Sequence, residues 1–222
     1  RLVIREIEYD LSGESGRTPI EIVQFNDTHL NYVNDKDWEN KSECILATYK
    51  GRSWKRDGSS TENANRLVEY ASLFDQTVVT GDILDYRSQG CLEMTKKLMF
   101  DRLPGALFTF GNHESTVHMQ EADHICDTED TLEAAHAELK DVWPNDTKYV
   151  SKIISNKDGI EMAMIVAVDN GPHAYKHTEI REGLTRDIAI ARGKKIPILL
   201  FEHCPISTRG GLSDDKYTWF YS

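Results

Sequence analysis

Leu107-Phe108-Thr109-Phe110-Gly111-Asn112-His113-Glu114 decides how this chain of 222 residues is read. Four β-favouring residues run straight into a turn that carries an amide, an imidazole and a carboxylate. The same grammar recurs along the chain. Ile20–Phe25 reads as a buried strand and is followed by Asn26-Asp27-Thr28-His29. Thr77–Thr80 reads as a strand and is followed by Gly81-Asp82-Ile83-Leu84-Asp85. Ile196–Phe201 reads as a strand and is followed by Glu202-His203-Cys204-Pro205. A fifth strand is expected at Ile160–Val168.

Helical patterns separate these runs. Ala64, Leu67, Val68, Ala71 and Phe74 share one face of a helix expected over 60–74, and Ser59 with Glu62 fits a capping box at its start. Further helices are expected at 91–103, stopping before Pro104, at 131–142, stopping before Pro144, and at 176–192, closed by Gly193. Alternating strands and helices predict a layered α/β domain. In such sheets ligands gather beyond the carboxyl ends of the strands, where all four blocks lie. Residues 31–59 are polar apart from a patch at Cys44–Ala47 and read as an excursion or cap within a single domain spanning 1–222.

Composition narrows the function classes. Charged residues make up 28% and hydrophobic ones 39%, as in ordinary globular domains. The longest apolar runs, 162–168 and 196–201, are strand-sized, well short of the ~18 residues of a membrane span. A net charge of -11, from 26 basic and 37 acidic residues, argues against a broad nucleic-acid surface. It is compatible with a small anionic substrate, because bound cations reverse the field inside a cleft. The four cysteines form no CxxC motif, which slightly favours a reducing, cytoplasmic setting.

The residue types in the four blocks suit first-row divalent ions: carboxylate oxygens, imidazole nitrogens and an amide oxygen. Asp27 and His29, two apart, would share one face of a strict strand. Asp82 has two oxygens with which to bridge two ions, and such a pair can clamp a phosphoryl group and activate water. His113 sits beside Asn112, placed to protonate a leaving oxygen, and Asp85 could fix its ring tautomer. Asp and Asn also favour turns on their own account, which explains any one block but not the ordered set. His118, His124 and His136 read as surface residues in acidic stretches, and His173 and His177 as part of a turn. Cys204 has no base to activate it, and Arg209-Gly210-Gly211 reads as a flexible turn. Arg52 and Trp54 are candidates for a cap over the substrate.

With these blocks the chain resembles the calcineurin-like metallophosphoesterases over roughly residues 18–222. The resemblance implies a four-layer α-β-β-α sandwich with two divalent metal ions (Mn, Fe or Zn) at the sheet edge. It implies that Asp27 and His29 hold one ion, Asp82 bridges, and Asn112 and His203 hold the second. His113, supported by Asp85, acts on the leaving group. The implied activity is hydrolysis of phosphoric esters of small molecules by metal-activated hydroxide. The family's closing Gly-His-x-His is absent: the chain has eight histidines and none follows His203. Two readings follow. The chain is cut short of that block, which the intact earlier blocks favour, or it is a non-catalytic interaction domain with an incomplete site. A nuclease of the same superfamily is disfavoured by the charge.

Overall fold

The computed structural model describes residues 18–40, 43–52, 59–115, 137, 139–145, 148–169 and 178–203. Two three-stranded sheets form the frame. The first orders β1 (Ile22–Phe25), β2 (Gln76–Thr80) and β3 (Leu107–Thr109), all parallel. The second orders β4 (Tyr149–Ser155), β5 (Glu161–Val168) and β6 (Ile198–Glu202), with β4 antiparallel and β6 parallel to β5. Helices α1 (Asp35–Asn40), α2 (Glu43–Gly51), α3 (Ser59–Ala71), α4 (Gln89–Thr95) and α5 (Thr178–Lys194) accompany them among the described residues. A single π turn, Lys96–Phe100, prolongs α4.

Strand alternation sorts the apolar side chains into three clusters, and these stack the layers. On β2 and β3, Val79 and Phe108 face a cluster shared with Ala64 and Val68 of α3 and with Cys91, Leu98 and Met99. Val78 and Leu107 point the other way and meet Ile154, Ala163, Ile165 and Ala167 of the second sheet. Met164, Val166 and Val168 face outward from β5 onto Ala191 and Leu184 of α5. The clusters thus set helices against one face of the first sheet, the second sheet against its other face, and α5 against the far face of the second, consistent with the fold that the resemblance implies.

The excursion at 31–59 contains helices where a loop was expected. Asn34 and Asp37 cap α1 reciprocally: Asp37 N–H donates to Asn34 Oδ1 at 3.1 Å, and Asn34 N–H to Asp37 Oδ2 at 3.0 Å. The buried Asp37 also takes the N–H groups of Gln89 and Gly90, at 2.9 and 2.8 Å, and so anchors the excursion to the first turn of α4. Ser88 caps the same turn by accepting from Cys91 N–H.

Strand β4 was not foreseen. Val150 and Ile154 face the other sheet while Tyr149 and Ile153 face α5, with Ser151 and Lys152 between them. That arrangement gives neither a clean alternation nor a continuous apolar run. Helix α5 runs past Gly193, which was expected to close it. Lys195 takes the left-handed turn (φ 58°), and Ile196 N–H closes onto Ala191 O at 3.1 Å. The expected capping side chain of Ser59, most of the helix at 131–142, Trp54, the stretch 209–211, Cys204 and histidines 118, 124, 136, 173 and 177 lie outside the described residues.

Candidate metal centre

Four loops leave the carboxyl ends of β1, β2, β3 and β6 and meet. The first two run side by side: Asp27 N–H donates to Gly81 O, His29 N–H to Asp82 O and Leu30 N–H to Ile83 O, at 3.2, 3.0 and 2.7 Å. Asp27, His29 and Asp82 all adopt positive φ, at 56, 44 and 51°. Such backbone costs of order 1–3 kcal/mol per residue and persists only where its surroundings impose it. Asp27 and His29 thus converge through left-handed turns rather than through the alternation of a strand. Gly81 (φ 80°) passes so close to Gly111 that a β-carbon at either position would overlap its neighbours.

Glu114, which the sequence reading gave no role, stitches the second and third loops together. Its fully buried carboxylate accepts from the N–H groups of Asp82, Ile83, Leu84 and Gly111, at 2.9, 2.6, 3.1 and 2.7 Å. The signal lay in the block itself: an acid directly after Asn112-His113, on a turn that must be buried.

Asp82 is the hub. Its Oδ1 accepts from His113 N–H at 3.0 Å and faces His203 Nε2 at 3.4 Å. Its Oδ2 stands 3.7 Å from both His29 Nε2 and His113 Nε2. Asp27 Oδ1 lies 3.4 Å from His29 Nε2. His203 Nδ1 meets Thr80 O at 2.8 Å, and its Nε2 meets Asn112 Oδ1 at 3.2 Å. His113 Nδ1 meets the backbone carbonyl of Asp85 at 2.8 Å, closer than that residue's carboxylate at 3.7 Å. The Asp85 carboxylate turns instead to Arg52 Nε (2.5 Å), Asn31 Nδ2 (2.9 Å) and His29 Nδ1 (3.2 Å). Each of the seven residues expected at the site is therefore linked to the others by contacts at one sheet edge.

Electrostatics follow the burial. Burial, then the neighbouring Glu114, pushes the Asp82 carboxyl up to about 7. Burial, then the charge of His29, pulls the His113 imidazole down to about 3. Asp27 is more exposed; partial burial works to raise it, but the hydrogen bond with His29 and the nearby imidazoles hold it below the ordinary carboxylate range.

The donor set fits a cation. A carbonyl oxygen only accepts, so Thr80 fixes the proton of His203 on Nδ1 and leaves a lone pair on Nε2. That lone pair faces two further acceptors, Asn112 Oδ1 and Asp82 Oδ1. Asp27, His29 and Asp82 bring ligand atoms within 4.8 Å of one another, as do His29, Asp85 and His113. A proton or a metal ion between these atoms reconciles them, and the donor types suit either.

A family model described as calcineurin-like phosphoesterase matches residues 20–219. The chain belongs to the calcineurin-like phosphoesterases. No curated protein matches it. The calcineurin-like phosphoesterases are metal-dependent phosphoester hydrolases, and this member presents groups of side chains able to hold metal ions. Among the described residues no helix is long and apolar enough to cross a membrane.

Proposed function

We propose that this phosphoesterase hydrolyses small phosphoric esters at a dinuclear metal centre (Mn, Fe or Zn) built on Asp82. The observation that carries the reading is the cage of three imidazole Nε2 atoms within 3.7 Å of the Asp82 carboxylate, with Asp27 and Asn112 at its two ends. Asp27, His29 and Asp82 would hold one ion; Asp82, Asn112 and His203 would hold the other. Bound ions supply Lewis-acid polarisation of the phosphoryl group and a nucleophile derived from water.

The chain's own residues do the rest. Glu114 fixes the backbone that aims Asp82. His113 holds its Nδ1 proton on the Asp85 carbonyl, which points Nε2 into the site. The negative charge of an arriving phosphoryl group favours a proton on that Nε2. As water adds to phosphorus, giving up one proton to solvent, and the ester P–O bond breaks, His113 Nε2 gives its proton to the leaving oxygen and regains one from solvent.

The test is turnover of p-nitrophenyl phosphate and its bis ester by the Mn2+-supplemented chain. His113→Ala is expected to lower kcat by about 10²–10⁴-fold with Mn2+ still bound. Asn112→Ala is expected to weaken Mn2+ binding itself. Absence of turnover on either ester with two ions bound would assign a non-catalytic domain instead.

A further inference from the structure

We propose that Arg52 is a positioning residue that reaches the site from the helical excursion and sets the His29 ring through Asp85. Asp85 has a fully buried carboxylate whose two oxygens face different ways. Oδ2 accepts from Arg52 Nε at 2.5 Å and from Asn31 Nδ2 at 2.9 Å. Oδ1 is thereby turned to His29 Nδ1, at 3.2 Å, while the backbone carbonyl of the same residue serves His113 at 2.8 Å. One aspartate thus faces two histidines with separate atoms, its carbonyl in a hydrogen bond with His113 and its Oδ1 within ion-pair range of His29.

A carboxylate facing Nδ1 favours the proton there and, in the metal-loaded protein, would leave the Nε2 lone pair for the ion assigned to Asp27, His29 and Asp82. Two donors, one of them a cation, meet the buried Asp85 carboxylate on Oδ2 and fix its orientation. Arg52 directly follows α2 and continues its hydrogen bonding, with its N–H on Thr48 O at 2.9 Å. The excursion is therefore wired to the site from behind, beyond any role as a cover. This inference rests on the proposed role of His29 as a ligand.

The experiment compares the full chain with Arg52→Gln and Arg52→Lys. It reads Mn2+ affinity by titration, and the His29 ring nitrogen shifts by NMR on the ion-free and Zn2+-loaded protein. Arg52→Gln is expected to bind Mn2+ about 10–100-fold more weakly and to move the His29 Nδ1 resonance. Arg52→Lys, which keeps a cation beside Asp85 without the guanidinium fork, is expected to move both in the same direction by less. If Arg52→Gln fails to fold, Arg52→Lys carries the comparison. Unchanged affinity and unchanged shifts overturn the proposal, and so does weakened binding with an unmoved His29 resonance. If the unsubstituted chain takes up neither ion, the metal reading fails by itself, and the ring shift in the ion-free protein still decides the role of Arg52.

Discussion

Glu114 holds four backbone N–H groups on one carboxylate, and no other acceptor geometry fits that place. A glutamine there keeps one oxygen and turns an NH2 toward groups that are themselves donors. Glu114→Gln is expected to cost about 2–4 kcal/mol, seen as a lower urea midpoint with an unchanged slope. The loss of Mn2+ affinity should accompany it, because the donors set the turn that aims Asp82. Gly111 imposes a second constraint at the same point. A β-carbon there would run into the Asp82 backbone N at 2.7 Å and His203 Cε1 at 2.9 Å. Gly111→Ala should therefore abolish Mn2+ binding while the far-ultraviolet circular dichroism stays close to that of the parent chain. Retained binding would show that the two loops can part without harm.

At the scale of elements, α5 docks on the second sheet through a buried polar contact set among apolar ones. Tyr149 Oη donates to Asp187 Oδ2 at 2.6 Å, and Arg186 Nε donates to Asp187 Oδ1 at 2.9 Å. Burial works to raise the Asp187 carboxyl, but hydrogen bonds from Arg186, Ser151 and Tyr149 hold it below its ordinary value. A depressed acid stabilises the fold fully above its unfolded pKa of about 3.9, and that contribution fades as pH falls through the folded value. Asp187→Asn should cost about 1.5–3 kcal/mol at pH 7, and the gap from the parent should shrink below about pH 4. Arg186 is 60% exposed, so solvent screens its share, and the hydrogen bonds from Ser151 and Tyr149 add to it. Urea midpoints at both ends of that range check this, and a gap independent of pH would contradict it. The parallel strands were legible in sequence because strands buried on both faces read as apolar runs. The convergence of the candidate site was legible because its residues directly follow those runs. Strand β4 was not, since its polar centre breaks both patterns. Arg52 and Asn31 were not, since Asp85 lies 33 and 54 positions from them and no local spacing records the contact. The Asn34–Asp37 cap was readable in principle, as an N-cap residue followed three positions later by an acid.

At the scale of the whole molecule, the centre straddles both sheets. Asp27, Asp82 and Asn112 leave the first sheet, whereas His203 leaves the second and reaches back to Thr80 O. The apolar packing that holds one sheet against the other beneath them centres on Val78, Leu107, Ile154, Ala163, Ile165 and Ala167, with Ile22, Val150, Leu199 and Phe201 packed around them. A cavity there acts on the relation between ligands, and one elsewhere in the core acts on stability alone. Ile165 is completely buried in that layer, and Leu98 is 7% exposed on the helix side of the first sheet. Each change to alanine removes three carbons and should cost about 2–5 kcal/mol. The two should part in Mn2+ titration under strongly native conditions. Ile165→Ala is expected to weaken uptake at the proposed His203–Asn112 position and to leave the proposed Asp27–His29 position able to bind. Leu98→Ala is expected to leave both. Equal binding in the two variants at equal loss of stability would mean that the loops, rather than the packing between the sheets, hold His203 where it is.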